Sequence, residues 1–390
     1  MGSSFASPKP LSVRPELSRE PGDHPPLSGD GGEFSDSRPQ QDASLHQDSW
    51  RVLDFYDGGD MPVISVIIAA FNSERTIQET VESVLNQTFS DLELIVIDDG
   101  STDSTLEVLS RIEDPRLKVF SYPNAGVAAS RNRGIARASG EYVAFLDHDD
   151  LWTPDKLEAQ LRALQENPQA GVAYSLVHCI DEAGRFLHPG SRITASGDVY
   201  ARLLVTDFLD TVSNPLIRKE ALDQVGGFDE SFASADDWDV LLRLAARYPF
   251  ACVPAVQVLY REHPDSLSFD VSRMEAAALG VCERAFAEAP VHLRHLKRDS
   301  MGNLYKYLTA RALRGHPSRQ RGLQAAGFLW NAVRNDPRLL HTLAFVHTLC
   351  LIAAMTLLPP RWVHVLFARC KRLSNANYLL THMRYYLCRS

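Results

Sequence analysis

A chain of 390 residues, 45% of them hydrophobic, exceeds one average domain and can build a sizeable core. Its net charge of −9 argues against a nucleic-acid-binding protein, which usually carries a basic footprint. The six cysteines (Cys179, Cys252, Cys282, Cys350, Cys370 and Cys388) form no C-x-x-C pair and no metal-ligand spacing, which points to free thiols in a reducing compartment.

Residues 1–60 are rich in Pro, Ser, Gly, Asp and Gln and poor in aliphatics, and they lack the apolar stretch of a signal peptide. Such a segment cannot bury enough apolar area to offset its ordering entropy, so a disordered tail is expected. At Met61-Pro62 the composition changes. Val63 to Ile68 is a β-branched run of the kind that forms a strand buried on both faces. Asn72 or Ser73 is placed to cap a helix striped by Ile77, Val81, Val84 and Leu85. The pattern recurs: strands at Leu92–Ile97, Leu117–Tyr122 and Tyr142–Leu146 alternate with helices through Leu106–Ile112 and Ala125–Ala138. Strand–helix alternation predicts an α/β fold around a mostly parallel sheet, whose ligands bind beyond the carboxyl ends of the strands. From 171 to 262 the alternation loosens, with strands at Gly171–Val177 and Phe250–Tyr260 and a helix at Asp237–Arg247. Beyond 272 the chain reads as helical.

Polar clusters fall at the predicted strand ends. Asp147-His148-Asp149-Asp150 crowds carboxylates that repel one another unless a cation or solvent relieves them. Mg²⁺ and Mn²⁺ accept one or two carboxylates together with substrate phosphates, and the alternative is an acidic turn capping a helix near Pro154. In Asp98-Asp99-Gly100-Ser101 an acid can accept from a base imide or a ribose hydroxyl, Gly100 permits a tight turn, and Ser101 or Thr102 can cap the next helix. Asn124-Ala125-Gly126 followed by Ser130-Arg131-Asn132-Arg133 opens a helix whose start favours anions and whose arginines can offset diphosphate charge or simply be solvated. Asp236-Asp237-Trp238-Asp239 opens another helix, either as dipole-complementing acids or as a general base for a hydroxyl. His263, in the polar loop after Tyr260-Arg261-Glu262, is a candidate ligand.

Taken in order, VISVIIAAFN, LIVIDDGSTD, NAGVAASRNRGI, YVAFLDHDD, GGFDE, ADDWDVLLRL and YREHPDSLS resemble glycosyltransferase family 2, of the GT-A fold, over Pro62 to Ser268. Each piece is weak alone, and the ordered set is specific. The resemblance implies a catalytic domain over 61–271 and a metal-dependent, inverting transfer from a nucleotide-diphosphate sugar to a glycan or lipid-linked acceptor. It implies Asp99 as a nucleotide-contacting acid, with Ala70, Phe71 and Asn72 lining base and ribose and Glu74 as a donor-site acid. Gly100, Asn124, Gly126, Arg131 and Asp147 complete the donor site, Asp147, Asp149 and His263 would hold Mn²⁺ or Mg²⁺, and Asp237 would be the base. UDP is the preferred nucleotide, with dTDP and GDP as alternatives. Two departures are visible: Ala69-Ala70-Phe71-Asn72 stands where P-x-Y-N or P-x-F-N is commoner, and Asp236-Asp237 where Glu-Asp is usual. The rival readings are a sugar-nucleotide nucleotidyltransferase, which would favour a Gly-rich basic loop after the first strand, and an inactive nucleotide-sugar-binding module.

In the helical region, 272–390, Leu339–Leu358 is about as long as a membrane-crossing helix, diluted by His341 and His347. Arg338 precedes it, and Arg361, Trp362, Arg369, Lys371 and Arg372 follow. A peripheral membrane contact through an in-plane or re-entrant anchor is expected, with spanning left open, and with a cytoplasmic location at the inner face of the plasma membrane; the alternative is a buried helix of a small subdomain.

Overall fold

In a computed structural model of the chain, the described residues are 61–232, 234–262, 270–314, 317–359, 361–363 and 376–384. The expected N-terminal tail therefore lies outside them, as does His263. In chain order the elements are β1 (Ile64–Ala70), α1 (Ile77–Leu85), β2 (Leu92–Asp98), α2 (Thr105–Ser110), β3 (Leu117–Ser121), α3 (Val127–Ile135), β4 (Tyr142–Asp147), β5 (Leu151–Trp152) and α4 (Lys156–Glu166). They continue with β6 (Val172–Ile180), β7 (Phe186–Pro189), α5 (Tyr200–Val205), β8 (Leu216–Arg218), α6 (Lys219–Val225), α7 (Asp236–Ala245) and β9 (Phe250–Arg261). The helices α8 (Val271–Glu288), α9 (Lys297–Arg314), α10 (Arg319–Asn335) and α11 (Leu343–Leu357) follow.

The strands form one mixed sheet in the order β3-β2-β1-β4-β8-β6-β9-β5, with β7 pairing antiparallel with the end of β6. Its first four strands are all parallel. The short β8 runs antiparallel between β4 and β6, and β6 and β9 are again parallel. The continuous aliphatic runs are explained by helices on both faces. Val66, Ile68, Leu94, Val96, Ala144 and Leu146 point to a core closed by α1, α2 and α4. The alternate residues Ile67, Ile95, Ile97, Val143 and Phe145 point to a second core under α3, α5, α6 and α7. This is the α/β class with C-terminal helices that the sequence predicts.

The helical region continues the second core: Val281, Cys282 and Phe286 of α8, and Leu293 and Leu296 beyond it, are buried there. A third core holds α9, α10 and α11 together through Leu308, Phe328, Leu329, Leu351 and Met355. Lys306 on α9, fully buried, pairs with Asp336 at 2.8 Å, and Arg384 also bonds Asp336. The stretch Leu339–Leu358 is not one helix. A 3-10 turn over Pro337–His341 ends at Thr342, whose hydroxyl accepts from the Phe345 N–H and caps α11. That leaves 15 residues in α11, and no helix among the described residues is long and apolar enough to cross a membrane.

Candidate active site

The register of the parallel strands brings the clusters together. Ala70 at the end of β1 is aligned with Asp98 on β2, and Ala69 with Asp147 on β4. Their carboxyl ends share one edge, and the loops leaving that edge are tied to each other. Asn72 adopts a left-handed φ of 48°, and its Oδ1 accepts from the Thr102 N–H at 2.8 Å. Ser101 Oγ accepts from the Asn72 N–H, and Glu74 accepts from the Ser104 N–H at 2.9 Å. These cross-loop bonds overturn the expected caps. Asn72 and Ser73 lie four or more residues before α1, which begins at Ile77 after Thr76, and neither side chain caps it. Asp103, rather than Ser101 or Thr102, accepts from the Thr105 N–H at the start of α2. Phe71 stands exposed at the tip of β1.

Asp99 is nearly buried and ties the next loop down. Its two oxygens accept from the Ala125 N–H at 2.9 Å and the Gly126 N–H at 2.8 Å, while Asn124 donates to its carbonyl. Arg133 adds an ion pair to Asp99 at 3.2 Å and packs over the Tyr122 ring. Gly100 turns at φ 76°, and a Cβ there would stand 3.0 Å from the Asn124 amide nitrogen, so a side chain would push the two loops apart.

Arg131 is the electrostatic centre. Its guanidinium pairs with Asp147 at 2.7 Å and with Asp236, from the start of α7, at 2.6 Å. Burial alone would lower its affinity for the proton, but Asp236 and Asp147 outweigh that and raise it. Asp147 Oδ2 takes no protein donor among the described residues. Asp150 turns inward, accepting from Ser213 Oγ at 2.6 Å and from the Arg261 N–H at 2.9 Å. Burial, then the charges of Asp149 and Asp147, push its carboxyl far above the usual carboxylate range. The acidic turn does not cap α4, whose N-cap is Asp155. Asp147, already paired with Arg131, and Asp149 both act on Asp150 from this turn, and carboxylates crowded in this way are of the type that a hard divalent cation relieves. Ser130 Oγ and His148 Nδ1 are buried with no hydrogen-bond partner among the described residues.

Asp237 differs from its neighbour. It accepts from the Trp238 N–H at 2.8 Å and pairs with no cation among the described residues, although Arg131 acts on it from a distance. Burial, then Asp236 and Asp207, push its carboxyl up to about 8. Asp207, half-buried, is pushed up to about 7 by desolvation, and Asp210 beside it accepts from the Ser191 N–H. They lie between Val205 and Leu216 in a stretch without regular structure, and nothing in their local spacing marks them. Glu262, next to the undescribed His263, is held by Arg311 at 3.0 Å and Arg314 at 2.9 Å from α9. Glu262, Cys179 and His188 form the group of three potential ligands whose donor atoms lie within 4.8 Å of one another among the described residues. The two arginines already neutralise its carboxylate, so the group is better described as an ion-pair latch.

The sequence signature described as Glycosyltransferase like family 2 matches residues 65–312. A chondroitin synthase of Escherichia coli is 30% identical over 218 residues, 55% of this chain and 31% of that protein. A hyaluronan synthase of Pasteurella multocida is 32% identical over 190 residues, 47% of this chain and 19% of that protein. The chain thus matches less than a third of the length of these curated relatives. Among solved structures, the mannosyltransferase PcManGT from Pyrobaculum calidifontis, in complex with GDP-Man and Mn²⁺, aligns over 84% of this chain and 89% of its own with 19% identity and a TM-score of 0.49.

Proposed function

The chain belongs to glycosyltransferase-like family 2, and on that premise we propose that it transfers a sugar, with inversion, from a nucleotide-diphosphate donor to a hydroxyl of a glycan or lipid-linked acceptor. The relatives named as polysaccharide synthases support a place in building cell-surface polysaccharide. The uridine-type Asp98-Asp99-Gly100-Ser101 turn favours UDP. A cytoplasmic location, at the inner face of the plasma membrane, goes with this reading.

The observation that carries it is the division of labour at Asp236-Asp237. Asp236 is committed to Arg131, whereas Asp237 has no cation of its own among the described residues and an elevated pKa near the working range of a general base. Asp237 takes the proton of the acceptor hydroxyl as that oxygen attacks the anomeric carbon. The bond from that carbon to the diphosphate oxygen breaks on the opposite face, and the electron pair leaves with the nucleotide. Arg131, already poised between Asp147 and Asp236, lends positive charge to the departing diphosphate. A divalent cation on Asp147 and Asp149 would neutralise the same charge when bound. Asp99 and the Asn124–Gly126 loop hold the nucleoside end in place, with Ala70, Phe71, Asn72 and Glu74 across from them. His263 remains a candidate third ligand. The nucleotidyltransferase alternative is disfavoured by Ala69-Ala70-Phe71-Asn72, which supplies no Gly-rich basic loop.

The test is Asp237→Asn, assayed as nucleoside diphosphate release from donor sugars with a panel of glycan acceptors. Transfer is expected to fall by on the order of 10²- to 10⁴-fold, with nucleotide affinity unchanged. Near-normal transfer by the variant would contradict the assignment. A wild-type protein that binds nucleotide but transfers to no acceptor would favour the binding-module reading.

A further inference from the structure

Helix α11 has no Asp, Glu, Lys or Arg and is predominantly apolar, a composition usually found inside a core or in lipid. Only half of it is covered. Ala344, Leu351, Ile352 and Met355 pack into the third core. The opposite side is open: Leu343 is 75% exposed and Leu357 79%, with Val346 and Leu349 exposed between them. Trp330 on the neighbouring α10 is 69% exposed, and Trp362 beyond α11 is exposed as well. Isolated apolar side chains need no explanation, but an open side running the length of a helix, with exposed tryptophans on the helix packed against it and beyond its end, does.

The charges around the stripe select its partner. The whole chain is acidic, yet between Arg319 and Val363 the single acid is Asp336, which is buried and neutralised by Lys306 and Arg384. Arg334, Arg338 and Arg361 in the same stretch are exposed. An apolar face in a stretch whose exposed charges are all cations complements an anionic lipid surface, where arginines meet headgroups and tryptophans settle at the boundary. A second copy of the chain would bring the same arginines against one another. With 15 residues, α11 is too short to cross a bilayer, which requires about 20.

We propose that the outward face of α10 and α11 lies in the interface of an anionic bilayer as an in-plane anchor. This sharpens the sequence expectation of a C-terminal membrane contact into one face, one mode and one lipid charge. It goes beyond the transfer reaction and stands independently of it.

The test is flotation of the full chain with vesicles of phosphatidylcholine alone or with added phosphatidylglycerol. The wild type is expected to float with the anionic vesicles, less so as salt rises. Arg338→Gln with Arg361→Gln should weaken anionic binding about 25-fold, about fivefold for each arginine. Val346→Asp with Leu349→Asp should abolish binding to both vesicles while leaving the melting temperature near that of the wild type, because both side chains are exposed. The proposal is overturned if the wild type floats with neither vesicle, if the Asp pair floats as well as the wild type, or if the wild type is a dimer that the Asp pair dissociates while no vesicle is bound. Titrating UDP into the same samples separates the two readings: lost nucleotide binding counts against the transferase, and lost flotation counts against the anchor.

Discussion

Asp236 and Asp237 are adjacent in sequence, yet one is paired with a buried guanidinium and the other has no cation beside it. The difference has a consequence for stability. An unfolded aspartate titrates near pH 3.9, whereas burial and two like charges hold folded Asp237 at about 8. Below about pH 4 the group is protonated in both states and costs nothing. As pH rises towards 8 the unfolded chain ionises first, so the native state loses stability across that window. Asp237→Asn is therefore expected to melt above the wild type at pH 8, with the gap closing at pH 4. A variant that melts with the wild type at both pH values would show that the site does not raise the affinity of this carboxyl for its proton. Lost activity with gained stability is the signature of a residue kept for chemistry.

At the scale of elements, α3 carries Arg131 to the site, and its seating depends on Gly134. A Cβ there would fall 2.3 Å from Ile67 Cγ2 on β1, so the helix lies closer to the sheet than a side chain allows. Gly134→Ala should cost about 1–3 kcal/mol in urea unfolding by overpacking. Combined with Ile67→Ala, which removes the obstacle, it should cost less than the sum of the two single changes. Strict additivity would mean that the close approach carries no strain. The strands of the parallel half were legible because a strand covered on both faces is an uninterrupted aliphatic run. Leu151–Trp152, Phe186–Pro189 and Leu216–Arg218 were not, since two to four residues have no period and become strands only through their partners. The caps were misread for a related reason: the side chains of Asn72 and Ser101 are engaged across loops about 30 residues apart, and local spacing cannot reveal such partners.

For the whole molecule, the order of the polar clusters was enough to predict that they share one edge of the sheet, because parallel strands deliver their carboxyl ends to one side. The pairing of Arg131 with Asp236, 105 residues away, was not legible, and it is what distinguishes the two acids. The C-terminal helices were legible as helices. Their sharing of the sheet's core, through Val281, Cys282 and Phe286, emerges only in three dimensions, as does the break at Thr342 that shortens the apolar stretch. The central claim, a metal-assisted nucleotide-sugar site on this fold, is tested most directly by calorimetric titration of UDP, GDP and dTDP into the full chain with and without Mn²⁺. The account predicts that UDP binds, and that it binds only with the metal present. A folded sample that binds none of the three nucleotides, or binds them equally well without metal, would contradict it.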